Sequence, residues 1–391
     1  MNQFAISTPE GTKDRLVSTC RKLRKTEKAI TDVLKKRGYG EVITPSTEYY
    51  DVFLQADSSV GQEKMLKCTD RGGRILVMRP DSTTPIARIA STKIREEELP
   101  LRLFYSQKVY RSNPTGHGHS TEIMQIGAEL LGADGMMADL DILSAAFEAM
   151  NAAQAGVYRI EIGHAGIYKA LISSLGVTPE EAEEIRMLIE NKSFAALGDA
   201  LEPYADRPAY RALKAMPQLF GNAEVLEEAE KLTQNPQVLE AVAYLRRLYW
   251  ALADAGFGDA IMIDLGLVHE LDYYTGMMFR GYVLGAGGTI ISGGRYNSLC
   301  AKFGRDIPAT GFAIDLDGLS EAMPEEEWEQ PAELVFTQEA LLKRALAYIR
   351  ENGAVLAPCG TEKEAMKMAK EQGYQALIVI DRDGVKRQEV K

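Results

Sequence analysis

Apolar positions along the chain change period several times, and the changes divide it. Between positions 15 and 38, Leu16, Leu23, Ile30, Val33 and Leu34 recur near one face of a 3.6-residue repeat, which predicts an amphipathic helix after the turn-rich Thr8 to Asp14. Runs of strand character follow at 41–45, 73–79 and 102–111, with helices predicted over 83–93 and 139–155 and a further strand over 157–162. Strands outnumber tight β-α-β units, so this half is expected to form a largely antiparallel sheet flanked by helices, an α+β arrangement. From about 165 to 256 the β pattern nearly vanishes in favour of Ala/Glu/Leu/Lys-rich segments such as 179–190 and 236–255, read as a helical insertion within a core spanning 1–322. The sheet pattern resumes at 260 and runs to 316. An acidic, Pro-containing stretch at 323–331 predicts a linker, and 332–391 alternates strand and helix as a small α/β module.

Composition narrows the function classes. With 45 Lys+Arg against 56 Asp+Glu the net charge is −11, a balance that repels polyphosphate, so nucleic acid is not an expected partner. Cys20, Cys68, Cys300 and Cys359 are far apart, without CxxC spacing or paired histidines, which speaks against disulfides and zinc and for a reducing cytoplasm. No run approaches the ~20 apolar residues of a membrane span. The densest candidate chemistry lies in Leu267 to Gly276, between two strand-like runs. There Asp272, Tyr273, Tyr274 and Thr275 combine aromatic surface with polar groups, as a pocket for a small polar ligand would. The alternative is a plain strand with one tyrosine in the core and the other in solvent.

Seven segments in register carry a resemblance covering about residues 5 to 320. They are Thr8-Pro9-Glu10-Gly11-Thr12-Lys13-Asp14, Gly38 to Pro45, Arg79-Pro80-Asp81-Ser82-Thr83, Arg111, Gln125-Ile126-Gly127-Ala128-Glu129, Leu271 to Gly276, and Gly293-Gly294-Arg295-Tyr296. The chain resembles the catalytic core of a class II aminoacyl-tRNA synthetase, specifically histidyl-tRNA synthetase. The resemblance implies a class II synthetase-like antiparallel sheet with flanking helices. It also implies a histidine site made of Asp81, Thr83, Arg111, Gln125, Glu129, Tyr273, Tyr274 and Tyr296.

The same comparison implies that the chemistry has been lost. Adenylate formation brings a carboxylate against an α-phosphate and needs several fixed guanidinium groups. Arg111 stands at the head of the second motif, but Asn113, His119 and Thr121 occupy places where the synthetases carry further charged groups. His269 replaces an arginine before the paired tyrosines, and Gly318 stands where an arginine would clamp ATP. Losing one such arginine typically removes several kcal/mol of transition-state stabilisation, so no catalytic residue and no cofactor are expected. The segment 333–391 is short for an anticodon-binding domain and nearly neutral, with ten Lys/Arg against nine Asp/Glu. The pattern is similar to that of the non-catalytic regulatory subunits of ATP phosphoribosyltransferase, paralogues of the synthetase. That similarity implies a homodimer through the core, a short-form catalytic subunit as partner and histidine as effector. A divergent active synthetase and a free-standing histidine- or tRNA-binding module are the alternatives.

Overall fold

The computed structural model describes residues 6–56, 60–112, 120–268, 274–324 and 331–390. Two compact units divide the chain, Met1–Pro324 and Glu325–Lys391.

The first unit opens with α1 (Val17–Lys36), whose buried Leu23, Thr26, Ile30 and Leu34 follow the three- and four-residue spacing of one helical face. Leu16, expected near that face, is instead 73% exposed. It occupies the extended cap position before the helix, while its neighbour Arg15 reaches Asp317 at 2.7 Å. The strand expected over 41–45 shortens to β1 (Gly40–Glu41). Its remaining carbonyls go elsewhere: Arg79 Nη1 donates to Thr44 O and Pro45 O, both at 2.7 Å. A small sheet then forms from β2 (Thr47–Tyr49), β3 (Lys67–Thr69) and β4 (Ile75–Met78), in the order β2-β4-β3, beside α2 (Tyr50–Gln55).

Next come α3 (Thr83–Thr92), β5 (Leu101–Tyr110), β6 (Glu122–Leu131), α4 (Met136–Ala152) and β7 (Tyr158–His164). The helical insertion holds α5 (Ala165–Leu175), α6 (Pro179–Glu190), α7 (Phe194–Leu201), α8 (Tyr210–Ala215), α9 (Glu224–Leu232) and α10 (Pro236–Leu252). One short strand interrupts it, β8 (Phe220–Gly221), because the segment pairs with β9 (Ile261–Asp264) at the sheet edge. The unit closes with β10 (Met277–Val283), β11 (Ile291–Arg295), β12 (Ala309–Asp315) and α11 (Leu316–Ala322).

Among the described residues the large sheet has nine strands in the order β1-β5-β6-β12-β11-β10-β7-β9-β8. Pairing is antiparallel except for β1 with β5 and β7 with β9, so the expected α+β architecture holds. Helix α4 is buried along most of its length through Ile142, Leu143, Ala146, Phe147 and Met150, and it packs against α1 and α10 as well as the sheet. The joint at 267–276 does connect two strands of this sheet, β9 and β10, with β7 lying between them.

The second unit contains β13 (Glu333–Thr337), α12 (Leu342–Asn352), β14 (Val355–Leu356), α13 (Glu362–Gln372), β15 (Ala376–Ile380) and β16 (Val385–Glu389). Its sheet runs β14-β13-β15-β16, parallel except for the last pair. Leu334, Phe336, Leu377 and Val379 pack with Ala365 and Ala369 of α13, while Val335, Ile378 and Ile380 pack with Ala345 of α12. Alternate residues therefore face opposite helices, which explains why 376–380 is apolar throughout.

Candidate functional site

Successive side chains on a strand point to opposite faces, so Gln125, Gly127 and Glu129 of β6 share one face. Across the ladder, β12 sets Gly311 opposite Glu129 and Ala313 opposite Gly127, and β11 sets Gly294 opposite Gly311. Absence of side chains there makes room for a pocket. A Cβ on Gly311 would fall 1.7 Å from Glu129 Oε2, and one on Gly127 would fall 2.4 Å from the Tyr105 hydroxyl.

Over this floor lies a cavity of about 130 Å³. Asp81 and Thr83 enter it from the start of α3, Arg111 from the end of β5, Tyr274 from the approach to β10 and Tyr296 from the end of β11. Seven of the eight residues expected to form the site, these five with Gln125 and Glu129, line this one cavity. The eighth, Tyr273, lies outside the described residues. Val60, Ser292, Gly293 and Phe312 also line it and were not anticipated. Tyr105, likewise missed, is completely buried and donates through its hydroxyl to Gln125 Oε1 at 3.3 Å.

Glu129 is the centre of the arrangement. It is 1% exposed, accepts from Thr83 Oγ1 at 2.8 Å on one oxygen and from the Tyr296 hydroxyl on the other. Burial pushes its carboxyl up to about 8. The two hydroxyl donors offset part of that rise, and the charge of Asp81 adds to it. Asp81 has a structural duty as well, receiving Thr84 N at 2.7 Å and Thr84 Oγ1 at 3.2 Å at the head of α3. Arg111 is anchored by its Nε on Pro80 O at 2.9 Å. A buried network backs the tyrosine wall: Arg295 Nη2 meets Asp139 Oδ1 at 2.7 Å, and Asp139 Oδ2 accepts the Tyr244 hydroxyl at 2.6 Å. Arg295 O in turn receives Thr275 N at 2.7 Å, and Lys169 Nζ donates to Tyr274 O at 3.1 Å.

A larger cleft of about 700 Å³ adjoins the cavity and shares Arg111, Gln125, Ser292 and Ala313 with it. Lys13, Arg280, Asp315, Asp317, Gly318 and Glu321 line its outer part. Except for Asp315, their charges are paired within the chain. Lys13 meets Glu321, Arg15 meets Asp317 at 2.7 Å, and Arg280 meets Glu161 at 2.8 Å and Asp264 at 3.3 Å. Asp317 also accepts Met124 N at 2.7 Å, and burial raises the Asp315 carboxyl above its ordinary range. Gly318 sits in the first turn of α11, its N–H donating to Asp315 at 3.0 Å. Thr121 is a strut, its backbone bridging Gly11 O and Arg111 N at 2.7 and 2.9 Å. Asn113, His119 and His269 lie outside the described residues. Among the described residues no three His, Cys, Asp or Glu side chains are grouped to hold a metal ion, and no helix is long and apolar enough to cross a membrane.

The family model described as histidyl-tRNA synthetase matches residues 11–319. The regulatory subunit of ATP phosphoribosyltransferase from Clostridium kluyveri is 38% identical over 383 residues, 95% of this chain and 98% of that one. Its namesake from Clostridium acetobutylicum is 39% identical over 378 residues, covering 95% and 89%. A crystal structure from Bacillus halodurans, described as an ATP phosphoribosyltransferase regulatory subunit/histidyl-tRNA synthetase, superposes with a TM-score of 0.86 at 28% identity, covering 97% of this chain and 99% of that one. Histidyl-tRNA synthetase from Nostoc sp. shares the fold, with a TM-score of 0.78 at 20% identity over 98% and 94% of the two chains. The synthetase-like sheet, the pocket on its glycine floor and relatives of equal length under one name place the chain: it belongs to the family of ATP phosphoribosyltransferase regulatory subunits, built on the histidyl-tRNA synthetase fold.

Proposed function

We propose that this chain binds free histidine in the cavity around Glu129, performs no adenylation, and relays histidine levels to a short-form ATP phosphoribosyltransferase catalytic subunit. The observation that carries the reading is the charge layout of the joined cavities. Buried carboxyls, Glu129 and Asp81, lie at one end, Arg111 lies at the rim, and the cleft beyond has its cations already paired with acids. A zwitterion fits that polarity, its ammonium and imidazole toward the acids and phenols and its carboxylate toward Arg111. A triphosphate fits it poorly, because it would meet Asp315, Asp317 and Glu321, while beyond Arg111 the cations among the described residues of the outer cleft, Lys13 and Arg280, are already paired with acids.

The effector acts on the partner by binding one assembly state better than another, a coupling of about 1 to 3 kcal/mol in most such systems. Homodimerisation through the core belongs to the same proposal. It is supported by the apolar Ile43, Tyr49, Leu54 and Ile75, which stand exposed on and beside the three-stranded sheet.

The test is to mix the purified chain with a short-form catalytic subunit and assay phosphoribosyl transfer with and without histidine. A rate raised by the chain and lowered by histidine is expected; no co-elution and an unchanged rate would refute the proposal. Histidine-dependent ATP–pyrophosphate exchange by the chain alone would establish the synthetase alternative instead.

A further inference from the structure

The inner cavity has Glu129 on its floor and shares the rim of Arg111, Gln125, Ser292 and Ala313 with the outer cleft. If the proposed reading holds, the carboxyl carbon of the bound amino acid lies at Arg111, the cation on this rim. Whatever is attached to that carbon then passes directly into the outer cleft. At about 700 Å³ against about 130 Å³, the cleft has space for a substituent several times the size of the inner ligand. In chemical character it is unsuited to anions. Beyond Arg111 at the rim, Lys13 and Arg280 are held by Glu321 and Glu161, Asp317 is held by Arg15, and the remaining walls present Asp315, Glu190, Ile290, Leu267 and glycine backbone.

We propose that the outer cleft is an extension subsite. It admits an uncharged or cationic group joined to the carboxyl of the histidine in the inner cavity, such as an amide or the next residue of a peptide, and it discriminates against carboxylate- or phosphoryl-bearing extensions. This deepens the histidine-binding reading and rests on it. Arg111 keeps a hydrogen bond to the carbonyl oxygen when the carboxylate becomes an amide, so only the charge component of that contact is lost. An acidic extension adds a charge beside Asp315, Asp317 and Glu321, where the cations beyond Arg111 among the described residues, Lys13 and Arg280, are already paired.

Calorimetric titration of the full chain with free histidine, histidinamide, histidyl-glycinamide, histidyl-lysinamide and histidyl-glutamic acid amide tests this. The amide, glycyl and lysyl ligands are expected to bind within tenfold of histidine, and the glutamyl ligand at least tenfold more weakly than the glycyl one. Glu321→Arg reverses a charge at the solvent-exposed wall of the cleft. It should narrow the gap between the glycyl and glutamyl ligands by at least threefold and leave free histidine unchanged. Histidine that binds while the amide and glycyl ligands bind more than tenfold more weakly overturns the subsite and leaves the histidine reading standing. Equal affinity for the glutamyl and glycyl ligands also overturns it. Failure of free histidine to bind overturns both.

Discussion

Glu129 holds a proton that an ordinary carboxyl would have released, and two measurements follow from that. The unfolded group ionises near 4.5 and the folded one at about 8, so the folded chain binds more protons across that interval. Stability from this group is therefore greatest below pH 4.5 and declines as pH rises to about 8, opposite to the usual paired carboxylate. The ammonium of a bound zwitterion favours the ionised form, so at pH 7 histidine binding should expel a proton. Calorimetry in buffers of different ionisation heat reads that number, and Glu129→Gln, which has no proton to lose, should lower it by nearly one. The same substitution replaces a charge-assisted contact to the ammonium by a neutral one, about 2 kcal/mol, or more than tenfold in Kd. Unchanged affinity would place the effector elsewhere.

At this scale the sequence was informative about identity and silent about support. Asp81, Thr83, Gln125 and Glu129 could be named from their motifs because those motifs fix residue type and order. Tyr105 reads as one more aromatic in an alternating strand, and only the pairing of β5 with β6 sets it opposite Gly127, beneath the pocket. Ser292 and Phe312 were hidden for the same reason, since strand register across a sheet is a tertiary fact.

Among the elements, α4 and α10 do more than cover the sheet. Asp139 on α4, 1% exposed, joins Arg295 at the end of β11 to Tyr244 on α10. Asp139→Ala would leave a guanidinium only 5% exposed with Asp134, an acid 64% exposed at its side chain, as its remaining carboxylate partner. Breaking a buried pair in this way should cost about 3 kcal/mol in denaturant unfolding, and loosening the backbone of Thr275 should weaken histidine binding in parallel. A stability change below about 1 kcal/mol would show the network to be dispensable. The long periodic helices were legible, including 179–190 and 236–255 in the insertion, because 3.6-residue patterning over three or more turns is hard to mistake. The strand at 41–45 was overread. Its apolar run is real, but Pro45 lacks a donor and the buried guanidinium of Arg79 takes the carbonyls a neighbouring strand would have used. Leu16 was misjudged by a single position, the ordinary error at a helix start.

For the molecule as a whole, every described residue lining the inner cavity falls between Val60 and Ala313, inside the unit that ends at Pro324. A chain terminated after Pro324 is therefore expected to bind histidine within threefold of the full chain by calorimetry; a loss greater than tenfold would give the C-terminal unit a part in the pocket. The α+β class of the core was readable from the succession of patterns alone. The order of the nine strands was not, because β7 enters between β9 and β10 from a hundred residues away, and nothing in the local sequence records that insertion.

Gly311 has an implication for how such chains diverge. An added methyl there would fall 1.7 Å from the buried, doubly hydrogen-bonded carboxyl of Glu129 and 2.7 Å from the backbone oxygen of Ala128 in the neighbouring strand, so side chain and sheet would both have to shift. One nucleotide change in a glycine codon can thus disturb the pocket floor and the β6–β12 pairing together. On the proposed reading, any side chain at position 311 is then incompatible with the pocket as it stands.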